Sequence, residues 1–446
     1  MDFHWKQFTQ LALLGSGLTR EDWRMGVDQL ANELGGGFGG ARADLRDVTA
    51  RHYIVLRAAP DENRQDYQSF REALLYKAGL DARAGIEFGH LMLDSSGSDT
   101  AVLWQLAINL RALDEALGED VEITNDPTSR FKLKAYGCFL IPVNRQHRLE
   151  DGKNFERRAM GWHALLPECV GSNPIKLYGH PDAAAREKGL ARSHLRVAAA
   201  IFPDLDVDLD DSKAEVFRVL GITCENASTV VVEQINEARA TRSNVVMWPE
   251  LTVPPDILSA IRAKLAIDRK KERQRLDVVA AGTWHVSSDS HAAINVLEIL
   301  DDRGSSLLSY KKRLKFRVGG MAEDIQPGAE LPILLMVDRL IGIGICRDFC
   351  DDTHDVPYGK IDADLVLVPS MGHKTTILAH QKFAGTLQHR FGTRVFIVQQ
   401  TYPPPGPGPH PADLSHGFVI PPTGAALTAP ILQLVQRECF AWHDEA

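Results

Sequence analysis

In the second half of the chain, short apolar runs alternate with amphipathic stretches at close intervals. Residues 195–202 (LRVAAAIF), 244–248 (NVVMW) and 276–283 (LDVVAAGT) are largely apolar runs of strand length and read as strands. Between them, residues 228–242 place Val231, Ile235 and Ala238 on one helical face, and residues 255–264 predict a second helix. Residues 294–300 and 305–310 bracket 301–304 as a hairpin, with Gly304 in the turn. Residues 332–337 and 340–345 predict a second hairpin across Asp338 and Arg339. A strand at 363–369, a helix at 377–390 and a strand at 394–399 follow. Residues 403–411 (PPPGPGPHP) predict a rigid irregular loop with few donors for a sheet. A last strand at 416–420 precedes a C-terminal tail. Mixed hairpins and βα units predict a layered α/β sandwich.

The first half carries a weaker pattern. Thr19 is placed to cap a helix in which Trp23, Val27, Leu30 and Leu34 recur at helical spacing. The glycine-rich run 35–40 stops it and reads as a flexible loop, because it lacks any GxGxxG or P-loop lysine pattern. Residues 53–58 predict a strand, 62–78 and 100–117 helices, and 132–143 a strand pair or one long strand. The charged, alanine-rich stretch 180–194 marks a boundary. We therefore expect a mixed α+β accessory domain over 1–190 and a second domain over 191–446.

Bulk properties narrow the classes. The chain has 446 residues, 44% hydrophobic, with a net charge of −9 and a pI near 6.0, enough for two or three cored domains. Nothing in that balance predicts a nucleic-acid surface. Six scattered cysteines with no CxxC pair predict neither a disulfide framework nor a zinc site. The N-terminus lacks a basic segment followed by a long apolar one, and no run approaches a membrane span. The expectation is a cytoplasmic protein without membrane contact. With no metal cluster or nucleotide motif, no cofactor is expected.

The candidate chemistry centres on residues 340–352, LIGIGICRDFCDD. The apolar run stops at Cys346, which places a thiol at a strand end, where open α/β sheets hold ligands. Glu250 follows Trp248-Pro249 at another strand exit, and Lys312 follows a third, so one sheet edge would gather all three. A thiolate attacks a carbonyl or nitrile carbon, a carboxylate moves the protons, and an ammonium steadies the oxyanion. Each residue also has a plain structural role open to it. Cys346 fits as a small buried hydrophobe, Glu250 as a solvated loop carboxylate, and Lys312 as part of a wet basic face. His354, His373, His380 and His389 leave a cysteine–histidine hydrolase open as well.

In context, these residues resemble the carbon–nitrogen hydrolases of the nitrilase superfamily. The resemblance spans about 195–423. VVMWPEL is similar to that family's strand-Pro-Glu motif. Gly282, Asn295, Gly304, Tyr310 and Lys312 follow its Gly, Asn, Gly, Tyr-x-Lys order, and Glu323 with Pro327-Gly328 its second-glutamate stretch. GIGICRDF resembles its nucleophile elbow. The resemblance implies a four-layer α-β-β-α sandwich that pairs as a homodimer or larger homo-oligomer. It implies Cys346 as nucleophile, Glu250 as general base and acid, and Lys312, rather than Lys311, at the oxyanion. Glu323 would orient Lys312 and the substrate, the Arg347 N–H would complete the oxyanion site, and Asp348 would fix the turn. The substrate would be a small amide-like molecule.

The chain departs from that pattern after Phe349, where Cys350-Asp351-Asp352 stands in place of a proline-glutamate, and at 390–394, where the Arg-Ala-x-Glu-Asn run is missing. These departures, with the large first domain, leave open a sensor or scaffold that works with a protein partner bound through 1–190. Acyl transfer to an amine would use the same residues.

Overall fold

The computed structural model describes residues 4–14, 18–35, 42–59, 93–117, 131–133, 136–143, 160–180, 195–213, 215–268, 276–287, 292–318, 320–336, 338–350, 357–404, 414–422, 430–435 and 439–444. The predicted helix at 62–78 and the residues 36–40 of the glycine-rich run lie outside them, as do 405–411 of the proline-rich loop. The chain divides into two compact units, one of Met1–Ser193 with 335–340 and 359–362, the other of the remainder. Among the described residues, no helix is long and apolar enough to cross a membrane.

The first unit carries helices α1 (Trp5–Leu14), α2 (Arg20–Gly35), α3 (Arg42–Arg57) and α4 (Asp99–Leu117). The cap of α2 is reciprocal: the Asp22 N–H donates to Thr19 Oγ1 (3.1 Å) and the Thr19 N–H to Asp22 Oδ2 (2.9 Å). Trp23, Val27 and Leu30 of α2 bury against Ile54 and Val55 of α3 and Leu106 and Leu110 of α4. The strand expected at 53–58 is therefore the end of a helix. Its Tyr-Ile-Val run carries strand propensity, but packing decides, and the Trp23 indole N–H donates to Val55 O at 3.0 Å. Strands β1 (Lys132–Leu133), β2 (Cys138–Pro142) and β3 (His163–Pro167) form an antiparallel sheet, so 132–143 is a strand pair. Strands β4 (Cys169–Val170) and β5 (Asn173–Gly179) make a hairpin.

The second unit holds, in chain order, β6 (Arg196–Ala200), β7 (Asp206–Asp210), β8 (Val216–Thr223), α5 (Ala227–Ala240), β9 (Val245–Trp248), α6 (Pro255–Asp268), β10 (Val278–Val286), β11 (Ile294–Leu300) and β12 (Ser306–Lys311). There follow β13 (Arg317–Val318), β14 (Met321–Glu323), β15 (Leu331–Leu335), β16 (Leu340–Ile343), β17 (Leu365–Gly372), α7 (Lys374–Phe391), β18 (Arg394–Thr401), β19 (Gly417–Ile420), β20 (Leu432–Leu434) and β21 (Phe440–Asp444).

One sheet runs β12-β11-β10-β9-β6-β21, and the strands of this unit in a second sheet run β20-β19-β18-β17-β16-β15. Strand alternation sorts the first sheet's two faces. Ala198, Val246, Trp248 and Val279 join one core with Val231 and Ile235 of α5 and Ile257 and Ile261 of α6. The intervening Val197, Ala199, Val245, Met247 and Val278 are equally buried and look the other way. There β18 packs on β6, and the Gln400 side chain bonds both the N–H and the C=O of Phe202 (3.1 and 3.0 Å). Helix α7 covers the far face of the second sheet against β17 and β18. The result is a four-layer α-β-β-α sandwich, flanked by a small sheet of order β13-β14-β8-β7.

The stretch after 420 is more than a tail. Residues 440–444 pair antiparallel with β6, and 432–434 with β19, closing the exposed edge of each neighbour. Neither run is long or apolar enough to announce itself in sequence.

Candidate active site

Three sheets contribute to one buried cluster, so a single sheet edge does not gather it. Glu250 leaves the C-terminal end of β9, Lys312 follows β12 in the same sheet, Cys346 lies just past β16 in the second, and Glu323 ends β14 in the third.

The turn that carries Glu250 is clamped from below. Leu251 has a left-handed backbone (φ +56°), its N–H donates to Thr283 Oγ1 (2.9 Å), and a Cβ on Gly282 would stand 2.8 Å from Pro249 O. Only glycine lets β10 approach this closely. Lys312 is held by its backbone. Its N–H donates to Asn295 O (2.9 Å), and the Gly328 N–H donates to Lys312 O (2.8 Å). A Cβ at Gly328 would meet Lys311 O at 2.3 Å, which explains the Pro-Gly pair in structural terms. Lys311 itself is exposed and Lys312 is buried, as strand alternation requires.

Cys346 opens a short 3-10 turn, Cys346–Asp348, with φ +46°. A non-glycine residue held there costs about 1–3 kcal/mol and persists only when its surroundings enforce it. The enforcement comes from Asp348, whose carboxylate accepts the N–H groups of Arg313 (3.1 Å) and Leu314 (2.8 Å) and the Tyr310 hydroxyl (2.7 Å). It thus ties the cysteine turn to the segment carrying Lys312. The Arg347 side chain points outward and reaches Lys315 O (3.4 Å).

At the centre, Lys312 Nζ donates to Glu250 Oε1 and to Glu323 Oε2, both at 2.6 Å. Glu250 Oε2 accepts the Met371 N–H (3.2 Å), and the Cys346 sulfur lies beside the backbone of the same residue. The sulfur stands 4.0 Å from Met371 O. All four charged or nucleophilic side chains are 2% exposed or less, so each feels the others through little water. Burial pushes the Cys346 thiol up to about 12, helped by the Glu250 charge and opposed by Lys312. Burial also lifts Glu250 above its ordinary 4.5, with Glu323 adding to the lift and Lys312 opposing it. Glu323 goes the other way. Burial would raise it, but Lys312 and the His285 hydrogen bond hold it well below the carboxylate range. Lys312 stays an ammonium, since the two carboxylates outweigh the burial that would discharge it.

The sequence offers no role for three further members. Asn295 Nδ2 bridges Glu250 Oε1 (3.1 Å) and Glu323 Oε1 (2.9 Å). His285 Nε2 meets Glu323 Oε1 at 3.0 Å, and Ser370 stands next to Met371, whose N–H bonds Glu250. The available signal was a polar residue inside a strand, since His285 and Asn295 face each other across β10 and β11. Glu323 accepts from Lys312, His285, Asn295 and the Phe316 N–H (3.1 Å). Its four acceptor sites are all filled by protein. Of the histidines, His380 Nε2 faces the Cys346 backbone carbonyl (3.3 Å) rather than the sulfur, and His373 is exposed. His354 lies outside the described residues, as does the side chain of His389.

A buried thiol set beside a carboxylate that is itself bonded to an ammonium is equipment for covalent acyl chemistry. Comparison with solved structures finds likeness to carbon–nitrogen hydrolases. The NitN amidase from Neterenkonia sp. AN1 matches with 16% identity over 56% of this chain and 91% of that one, at a TM-score of 0.38. A cysteine-to-serine variant of the Nesterenkonia AN1 amidase, described as from the nitrilase superfamily, matches with 16% identity over 57% and 92%, at 0.38. A glutamine-dependent NAD+ synthetase from Acinetobacter baumannii matches with 16% identity over 56% of this chain and 45% of that one, at 0.39. No protein-family model matches the chain, and a search of curated proteins found no match.

Proposed function

We propose that the second unit is a carbon–nitrogen hydrolase of the nitrilase type that cleaves a non-peptide amide-like bond through a thioester on Cys346. The observation that carries this reading is one buried cluster in which Lys312 pairs with Glu250 and Glu323 while the Met371 backbone links Glu250 to the Cys346 sulfur.

The sulfur attacks the carbonyl carbon as its proton passes to Glu250. Because burial and the Glu250 charge hold the thiol up near 12, no standing thiolate exists at neutral pH, and proton transfer accompanies attack. Glu250 Oε1 is occupied by Lys312 and Asn295, so Oε2 is the oxygen that takes the proton. The developing oxyanion takes the third Nζ–H of Lys312, whose other two point at carboxylates, and the Arg347 N–H. Collapse breaks the C–N bond and Glu250 returns the proton to the leaving nitrogen. Water then attacks the thioester, giving its proton to Glu250; the acid departs and the sulfur is reprotonated. Lys312 keeps its charge throughout because Glu323 stays ionised when Glu250 is not.

The test is a panel of small amides incubated with the protein, quenched early, and read by peptide mass spectrometry. The expected result is an acyl mass on the Cys346 peptide, absent in Cys346→Ala. No adduct and no amine release from any amide would refute the reading.

A further inference from the structure

His285 has no part in the steps above, yet it is buried against the cluster and both its ring nitrogens are engaged. The Val219 N–H donates to Nδ1 (3.0 Å), so Nδ1 carries no proton in the neutral ring and Nε2 must. The tautomer is thus fixed by a backbone amide of β8, and Nε2–H is aimed at Glu323 Oε1 (3.0 Å).

Two carboxylates share Lys312, and one proton must travel on the correct one. Their surroundings differ. Glu323 accepts four donors, while Glu250 accepts three, from Lys312, Asn295 and the Met371 N–H, and keeps one acceptor site on Oε2. Hydrogen bonds to a carboxylate favour its charged form, and two of the four to Glu323 also serve Glu250: Lys312 Nζ and Asn295 Nδ2 each bond both. What distinguishes Glu323 is His285 and the Phe316 N–H. Only the first is a side chain.

We infer that His285 is a positioning residue which, acting through Glu323, reserves the travelling proton for Glu250. The inference rests on the hydrolase reading. Around Glu323 the ionisable groups are Lys312, His285 and Glu250. Glu250 faces Cys346 and senses His380, and Lys312 senses Asp348. Removing the Nε2–H donor leaves Glu323 a better competitor for the proton and draws Lys312 toward it, away from the oxyanion. Because Glu323 has no acceptor free for substrate, binding is untouched.

The test compares His285→Leu, which has no donor, with His285→Gln, whose amide supplies both an N–H for Glu323 and an oxygen for Val219. A charge-assisted bond of this kind is worth a factor of about 10–100. His285→Leu should lose about that factor in kcat with KM unchanged, and its acid limb in kcat/KM should move up by about half to one pH unit. His285→Gln should recover most of both. Alkylation of Cys346 by iodoacetamide, followed against pH, needs no substrate and should slow in His285→Leu but not in His285→Gln. If His285→Leu does not fold, His285→Met takes its place, with melting temperatures measured for every variant. Unchanged kcat and acid limb in the donor-less variant would overturn the inference, as would a well-folded His285→Gln that is equally impaired. Failure of the hydrolase reading is separate: the wild-type protein would then show no turnover, while the alkylation profiles still decide the role of His285.

Discussion

Lys312→Met tests the electrostatics of the cluster most directly. The side chain is 1% exposed and its ammonium touches two carboxylates at 2.6 Å each. At an effective dielectric near 20, each contact is worth roughly 6 kcal/mol of gross attraction. Most of that offsets the desolvation of three ions, and removing one partner of a buried pair costs about 3–5 kcal/mol. Methionine fills the volume, so the loss is electrostatic. Two buried carboxylates then share only Asn295 Nδ2 between them. They respond by binding a proton more tightly than in the unfolded chain. A group whose proton affinity rises on folding stabilises the fold as pH falls and loses that contribution as pH rises. The deficit is therefore largest in alkali and shrinks in acid. For a unit of this size, 1 kcal/mol moves Tm by about 2–4 °C, so at pH 8 the variant should melt roughly 6–20 °C below wild type. At pH 5 the gap should be clearly narrower. Calorimetry of both proteins at the two pH values gives the answer. A gap under about 2 °C at pH 8, or one that widens toward pH 5, would show that the ammonium does not hold these carboxylates.

Glu250 must be unprotonated to accept the thiol proton, and burial lifts it above 4.5. Activity, measured as kcat/KM for any amide turned over, should therefore fall with decreasing pH through a midpoint above 4.5, and a midpoint below it would contradict the burial argument. Gly282→Ala places a Cβ 2.8 Å from Pro249 O at a backbone φ of +60°, so it should displace the Glu250 turn and lower both Tm and kcat; a variant with wild-type values would mean the turn is not set by this contact. Asn295→Leu removes the uncharged side chain that, with Lys312, bridges both carboxylates, and should cost about 2–4 kcal/mol by chemical denaturation, since each loses a donor while buried.

Much of the second unit is written locally. Runs such as 197–202 and 245–248 are apolar at every position because both faces of their strands are covered, and such runs identify themselves. Glu250, Lys312, Glu323 and Cys346 could be picked out because each stands where a strand gives way to polar chain or in a motif of known order. The first unit shows the opposite case. Residues 53–58 carry β-branched and aromatic side chains, yet they are helical because Trp23 and α4 bury them from several sides.

What the chain states by itself is which side chains are candidates for chemistry and which segments pair with their immediate neighbours. These follow from composition and from period, both local properties. Tertiary structure alone decided that the thiol, the ammonium and the two carboxylates come from three different sheets, and that 440–444 closes an edge begun at 196. It also decided that Glu323 spends all its acceptors on protein, and that a histidine tautomer set by Val219 reaches it. Those are contacts between residues tens to hundreds of positions apart. Burial gives them their strength, and no window of sequence contains it.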